Sequence, residues 1–434
     1  MVELGHFETT SLQRLTNQGE KLTTNGDNGI KGPLDGIRVI DWTMWQFGPV
    51  STMMLADLGA EVIKVESLDG DHGRQFSRVS GIGTDKFGTA TSYYFEALNR
   101  QKQGIALNLK HEKGQEVIYQ LVEQSDVFVQ NFRQGVAERL GLGYDDLKKH
   151  NSKIVYGSAT GYGPEGPDSG KPAFALTGEA RSGSLWWAGP NDDTPYNLHG
   201  VADQIAGITL SYGVLGALMY RERFGVGQKV DASHLGSMMW LAGMRDGIAL
   251  LAGQEPQRQH RSQSNSVLWN SYECKDGKWI AFSMSQGDRY WPPFCKGLDR
   301  LDLIEDPRFD SIETRRDNKV ELIKILDDIF MTRTREEWGK AMDAAGDTIW
   351  ENIQSTLDLP DDPQVIANNY LVDFDHPTLG PTKWHQLPLT YSETPLSTRK
   401  MAPTLGENTE TILTEMLDYT WDDIAELQDE GVIL

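Results

Sequence analysis

The stretch HGVADQIAGITLSYGVLGALMYRER, residues 199–223, sets one carboxylate, Asp203, ahead of a long run of small and apolar side chains. Two chemistries fit such a residue. An Asp in front of an apolar helical pattern is a good N-cap, stabilising the helix start by about 1 kcal/mol. A carboxylate is also a nucleophile that is already ionised at neutral pH, so it needs no separate base to attack an activated acyl group. The spacing alone favours the cap. The two readings overlap, because a helix N-terminus also stabilises an anion. Ala202, Ala206 and Gly207 are small enough to leave room for a ligand to reach the carboxylate.

Other chemistries find little support. The loop after the first strand-like segment reads DWTMWQFGPVS and lacks the G-x-G-x-x-G that lets backbone approach a pyrophosphate, so no NAD site is expected. No G-x-x-x-x-G-K-[ST], H-E-x-x-H or G-x-S-x-G is present. The nine histidines are scattered, and His199, the one beside the opening stretch, reads as a loop residue. Cys274 and Cys295 have no metal spacing and read as reduced thiols of a cytosolic protein, so no metal is expected.

An Asp can serve as a nucleophile only if a scaffold holds it, and the 434 residues suffice for two domains. Forty-one basic against sixty-three acidic residues give a net charge of −22, which argues against nucleic acid or an anionic membrane as partner. No window approaches eighteen consecutive apolar residues, so no membrane span is expected. Residues 1–32 are polar and lack a signal-peptide core; they read as an extension, and the protein as cytoplasmic.

From there the pattern is α/β. GIRVIDWT reads as a buried strand, GPVSTMMLADLGA as a helix with Pro49 in its first turn and Gly59 as its stop, and EVIKVE as a second strand. Strand, helix, strand within some thirty residues predicts a parallel sheet. GIALNL, DVFVQNF, KIVYGSATGYG and QKVDAS continue the strands, and LGSMMWLAGMRDGIALLAG reads as a helix. The polar segment QEPQRQHRSQSNSV reads as a linker to a smaller α+β unit that opens with a hairpin turned at Asp276–Gly277.

At this level of detail the chain resembles a known family. PLDGIRVIDWTMWQFGPVSTMMLADLGAEVIKVES, the block from Ala97 to Leu147, GYGPEGPDSGKPAF with VADQIAGITLSYGVLGAL, and APTLGENTETIL are similar, in order, to the conserved blocks of the class III CoA-transferases of CaiB/BaiF type. The resemblance runs from about Pro33 to the C-terminus. It implies a Rossmann-like large domain built from both chain ends, residues 33–254 and 351–434, with a linker and small α+β domain at 255–350. It also implies a homodimer of interlocked rings, or a heteromer with a paralogous subunit.

The resemblance further implies that Asp203 is the nucleophile, passing through an anhydride and an aspartyl-CoA thioester, and that Gln46 sits beside the reacting carboxylates. Lys110, Asn131, Phe132 and Arg139 hold the family's CoA-contacting positions. Acyl-CoA and a carboxylic acid are then the substrates. Two departures stand out. Ser67 occupies a place where some relatives carry a phosphate-binding Arg, with Arg74 as a substitute, and SQSNSVLWN lacks the glycine-rich shielding loop. The related α-methylacyl-CoA racemases carry an Asp where this chain has Ala175, so a racemase is the weaker enzyme reading. A non-catalytic CoA-binding subunit is the alternative from another class. Trp45, Trp186, Trp187 and Trp240 read either as core or as walls of a bulky acyl pocket.

Overall fold

The computed structural model describes residues 32–76, 92–189, 195–258, 260–377, 380–396 and 400–434. The predicted N-terminal extension lies, but for Gly32, outside them.

Strands β1 (Arg38–Trp42), β2 (Glu61–Glu66), β3 (Gln103–Ala106), β4 (Val127–Gln130), β5 (Val155–Thr160) and β6 (Lys229–Ser233) form one sheet in the order β3-β2-β1-β4-β5-β6. Every pairing is parallel. Central strands such as Val127–Gln130 are buried throughout, which explains why they read as unbroken apolar runs rather than alternating ones.

The helices of this part are α1 (Phe47–Asp57), α2 (Tyr93–Asn99), α3 (Glu112–Glu123), α4 (Val136–Arg139), α5 (Tyr144–His150), α6 (Ala175–Arg181), α7 (Ser184–Trp187), α8 (Val201–Phe224), α9 (His234–Leu241) and α10 (Gly243–Ala252). They cover both faces of the sheet. On one face α1 and α8 close over Val39, Val62, Val129 and Val155. On the other, α3 and two C-terminal helices, Thr409–Leu417 and Trp421–Asp429, share a core with Ile40, Ile63 and Phe128. The two ends of the chain therefore meet in one core. Asn108 N–H donates to Val432 O at 2.8 Å, and Gly104 N–H to Asn408 Oδ1 at 2.9 Å.

Helix α8 is long and apolar enough, by length and composition, to cross a membrane. It is instead a core helix along one side: Ala206, Leu210, Val214 and Leu218 are buried against the sheet and α1. Its ends are set by Gly200 (φ +86°) and Gly225 (φ +73°), both in the left-handed region that a glycine enters without steric penalty.

Residues 267–353 hold a second core. Strands β7 (Trp269–Glu273), β8 (Trp279–Ser283) and β9 (Trp350–Ile353) form an antiparallel sheet, with the predicted hairpin turning through Gly277 at φ +72°. Trp291, Phe294, Phe330 and Trp338 fill its interior. Cys274 and Cys295 are buried here, and burial pushes their thiols up to about 11 and about 12, so they are inert packing residues.

Candidate active site

The strand order reverses between β1 and β4, and ligands of open α/β sheets bind at the carboxyl ends of strands at such a point. A cleft lies there in two parts. One part, of about 310 Å³, is lined by Trp45, Asn131, Arg133, Lys171, Asp203 and His234, among others. The second, of about 440 Å³, runs past Ser67, Asp69 and Lys110 at the ends of β2 and β3. Met44, Phe132 and Val136 line both parts.

The floor of the cleft is a buried ionic network. Asp41 on β1 accepts from Lys102 Nζ at 2.7 Å and from Thr52 Oγ1 at 2.8 Å. Burial alone would push its carboxyl up; Lys102 and Lys64 outweigh that and hold it at about 2. Lys64 reaches Thr43 O at 3.0 Å and Asp71 at 3.1 Å. Asp71 in turn accepts from Trp45 N–H at 3.1 Å. Trp45 has φ +67°, a left-handed conformation that a side chain adopts only where its surroundings enforce it. The network and Asn131 supply that enforcement, so the loop carrying Trp45 and Gln46 is fixed from below.

Asp203 projects into the cleft from the first turn of α8, its side chain 18% exposed. Of the two readings open to Asp203, the N-cap is not the one the structure shows. Gly200 is the cap residue, and the Asp203 carboxylate accepts from His234 Nε2 at 2.7 Å. The helix end is served by Glu179 instead, whose buried carboxylate accepts from Ala202 N–H at 3.3 Å. Ala202, Ala206 and Gly207 do not provide access either. All three are buried, and a Cβ on Gly207 would lie 2.6 Å from Val50 Cγ1, so these residues let α8 pack against its neighbours.

The other predicted residues divide. Gln46 stands at the start of α1 with its amide against Gly200; a Cβ there would lie 3.4 Å from Gln46 Oε1. Phe132 packs against Trp42, with ring centres 4.1 Å apart, and borders both parts of the cleft. Lys110 is exposed at the β3 end. Asn131 also lines the cleft, but both ends of its amide are engaged by Met44. Arg139 is exposed on α4 and lines neither part of the cleft described here. Arg74 is committed inside the protein, with Nε and Nη2 on Glu66 at 2.7 and 2.6 Å and its guanidinium 3.6 Å from the Phe95 ring centre. His199 is an exposed loop residue, as expected. Ala175 packs with Ala202 and Met238.

Of the tryptophans, Trp45 lines the cleft, with Phe174 edge-on to it at 6.0 Å, whereas Trp186 and Trp240 are 64% and 82% exposed and so belong to no core in the chain alone. Tyr94 lies 6.5 Å from Trp45; burial, then the charges of Asp203 and Asp71, push its hydroxyl up, so it stays protonated. Among the cleft residues that were not foreseen are His234, Arg133 and Lys171. His234 had a legible signal, since it directly follows the strand KVDAS, at the carboxyl end of a parallel strand.

Residues 34–409 match the profile of CoA-transferase family III. The (R)-2-hydroxy-4-methylpentanoate CoA-transferase of Clostridioides difficile is 30% identical over 404 residues, covering 92% of this chain and 99% of the relative. The succinyl-CoA:glutarate CoA-transferase of Mus musculus is 32% identical over 403 residues, covering 92% of this chain and 90% of the relative. The crystal structure of a CAIB/BAIF family protein from Brucella suis superposes with a TM-score of 0.80 at 26% identity, over 89% of this chain and all of that one. The chain belongs to CoA-transferase family III.

Proposed function

We propose that this protein moves CoA from an acyl-CoA to a free carboxylate, with Asp203 as the covalent carrier. The observation that carries the reading is the Asp203 carboxylate facing the cleft, with Oδ1 held by His234 and Oδ2 without a hydrogen-bond partner among the described residues. Oδ2 attacks the donor's acyl carbon and the CoA thiolate departs, leaving a mixed anhydride. The thiolate then attacks Asp203 Cγ, the Cγ–Oδ2 bond breaks, and the donor acid leaves with that oxygen. The acceptor carboxylate attacks Cγ of the resulting thioester and Cγ–S breaks, giving a new anhydride; the freed thiolate attacks the acceptor's acyl carbon, and Asp203 leaves as the carboxylate. No step needs a metal or an external base.

The nucleotide end of CoA fits the part of the cleft near Lys110, and the thioester the part at Asp203. Lys110, Arg133 and Lys171 supply positive charge for phosphates or for the incoming acid in an otherwise acidic protein. Gln46 offers a neutral amide to the reacting oxygens. Racemisation is disfavoured, because it needs an acid and a base on opposite faces of Cα. Ala175 provides neither, and His234 is bonded to Asp203 itself, so those two groups do not stand on opposite sides of a substrate carbon. The relatives named above differ in their acids, so no particular acid is assigned.

We also propose a dimer. Tyr212, Trp240, Met244, Leu250 and Leu251 expose an apolar face along α8–α10 that the single chain leaves uncovered.

The test is a screen of acyl-CoA donors against free acids, read as new acyl-CoA by chromatography. Wild-type protein should exchange CoA between at least one pair, and Asp203→Ala should not. Equal exchange by both would defeat the proposal.

A further inference from the structure

We infer that His234 is a catalytic residue: the Nε2–H that holds Asp203 Oδ1 in place is also the oxyanion donor whenever Asp203 Cγ is attacked. The inference rests on the covalent reading of Asp203 given above.

The geometry fixes the donor. The His234 side chain is only 7% exposed, and its Nε2 lies 2.7 Å from Asp203 Oδ1. Its Nδ1 is buried and has no hydrogen-bond partner among the described residues. The proton therefore belongs on Nε2, where an acceptor waits. The ring cannot swing away. Phe47 packs on it at 4.8 Å between centres, and Gly178 lies so close that a Cβ there would sit 2.4 Å from His234 Cβ. Ser233 Oγ accepts from Gly236 N–H at 3.0 Å and so fixes the start of α9, where His234 is the first residue.

The chemistry gives that proton a second task. Oδ2 forms and breaks the bonds to the acyl groups, whereas Oδ1 remains the carbonyl oxygen of both the anhydride and the thioester. When the thiolate attacks Cγ of the anhydride, the carbonyl π pair moves onto Oδ1; it returns as Cγ–Oδ2 breaks and the donor acid leaves. When the acceptor carboxylate attacks Cγ of the thioester, the pair again moves onto Oδ1 and returns as Cγ–S breaks. Both times negative charge grows on the atom already facing Nε2–H, at the separation an oxyanion donor needs. His234 keeps its proton throughout. The first step, attack of Oδ2 on the donor thioester, places its charge on the substrate's oxygen, away from His234. The residue therefore acts in the Cγ steps and not in the first.

The experiment separates those steps. Enzyme is loaded with acyl-CoA, freed of small molecules, and mixed with acceptor acid; covalently bound CoA is followed by quench and intact-protein mass. His234→Leu should slow acceptor-dependent loss of CoA by roughly 100-fold, with half-saturating acceptor concentration little changed. His234→Gln, which restores an N–H, should recover most of that rate. If the Leu variant releases CoA at the wild-type rate, or Gln is as slow as Leu, the inference is wrong. A merely positioning role would instead slow the attack on the donor as much as the release. Wild type that carries no CoA on Asp203 would sink the covalent reading and this inference together. Should the Leu variant fail to fold, His234→Met against His234→Gln makes the same comparison.

Discussion

Asn131 grips Met44 by both of its backbone groups: Met44 N–H donates to Asn131 Oδ1 at 2.9 Å, and Asn131 Nδ2 donates to Met44 O at 2.6 Å. The carboxyl end of β4 thereby fixes the loop that carries Trp45 and Gln46. Asn131→Ala frees that loop. It should lower kcat by about 10- to 100-fold while changing the KM for acyl-CoA less, because small misplacements of positioned groups are costly to the chemical step. A pure rise in KM would assign Asn131 to CoA binding instead.

Gly207 lies one helical turn beyond Asp203, with its Cα face against α1. A methyl there meets Val50 at 2.6 Å and Phe47 O at 3.0 Å. Gly207→Ala should therefore destabilise the fold by about 1–3 kcal/mol. It should also reduce turnover, since α8 must shift with its nucleophile. Denaturant unfolding measures the first effect; an unchanged midpoint would show that α1 and α8 tolerate the separation.

Glu96 on α2 gives the fold a pH dependence. It accepts from Ala402 N–H at 3.2 Å through Oε2, while Oε1 is buried without a hydrogen-bond partner among the described residues. Burial pushes the carboxyl up to about 7; the Ala402 N–H and Arg74 oppose this, and Glu407 adds to it. The folded value exceeds the unfolded 4.5, so the folded chain binds this proton more tightly between those limits. The stability Glu96 contributes is whole below pH 4.5 and is lost as the pH rises through 7. Glu96→Gln should match wild type at acid pH and exceed its stability by about 1–3 kcal/mol at pH 8. Parallel unfolding curves at both pH values check this, and a gap that does not change with pH would contradict it.

Much of the scaffold was legible in the sequence, for a physical reason. Strands buried on both faces leave continuous apolar runs, and the glycines that end helices are visible as residue types. The site was legible only in part. Asp203 could be singled out because it stands alone, but whether it also capped α8 was not legible, since Gly200 caps that helix through a backbone angle rather than a side chain. His234 lies 31 positions from Asp203, and Asn131 lies 87 from Met44, so neither pairing leaves a local pattern. Arg74 looked like a cation available for phosphates because its partner Glu66 sits on the preceding strand, invisible as an ion pair until the turn is built.

The apolar face of α8–α10 makes a claim about assembly. Trp240 and Leu251 are 82% and 92% exposed in the single chain. Light scattering should give wild type the mass of two chains, and Trp240→Glu with Leu251→Glu should shift it toward one. A wild-type protein that is monomeric at assay concentration would contradict the dimer.

The central claim is the covalent role of Asp203, and the most direct measurement is the mass of the loaded enzyme. Protein incubated with a competent acyl-CoA and no acceptor should gain the mass of CoA less one water on the peptide that contains Asp203. Borohydride should then convert that side chain alone to an alcohol. Asp203→Ala, folded and treated identically, should show neither change. Wild type that turns over acyl-CoA and acid while Asp203 stays unmodified would contradict the account.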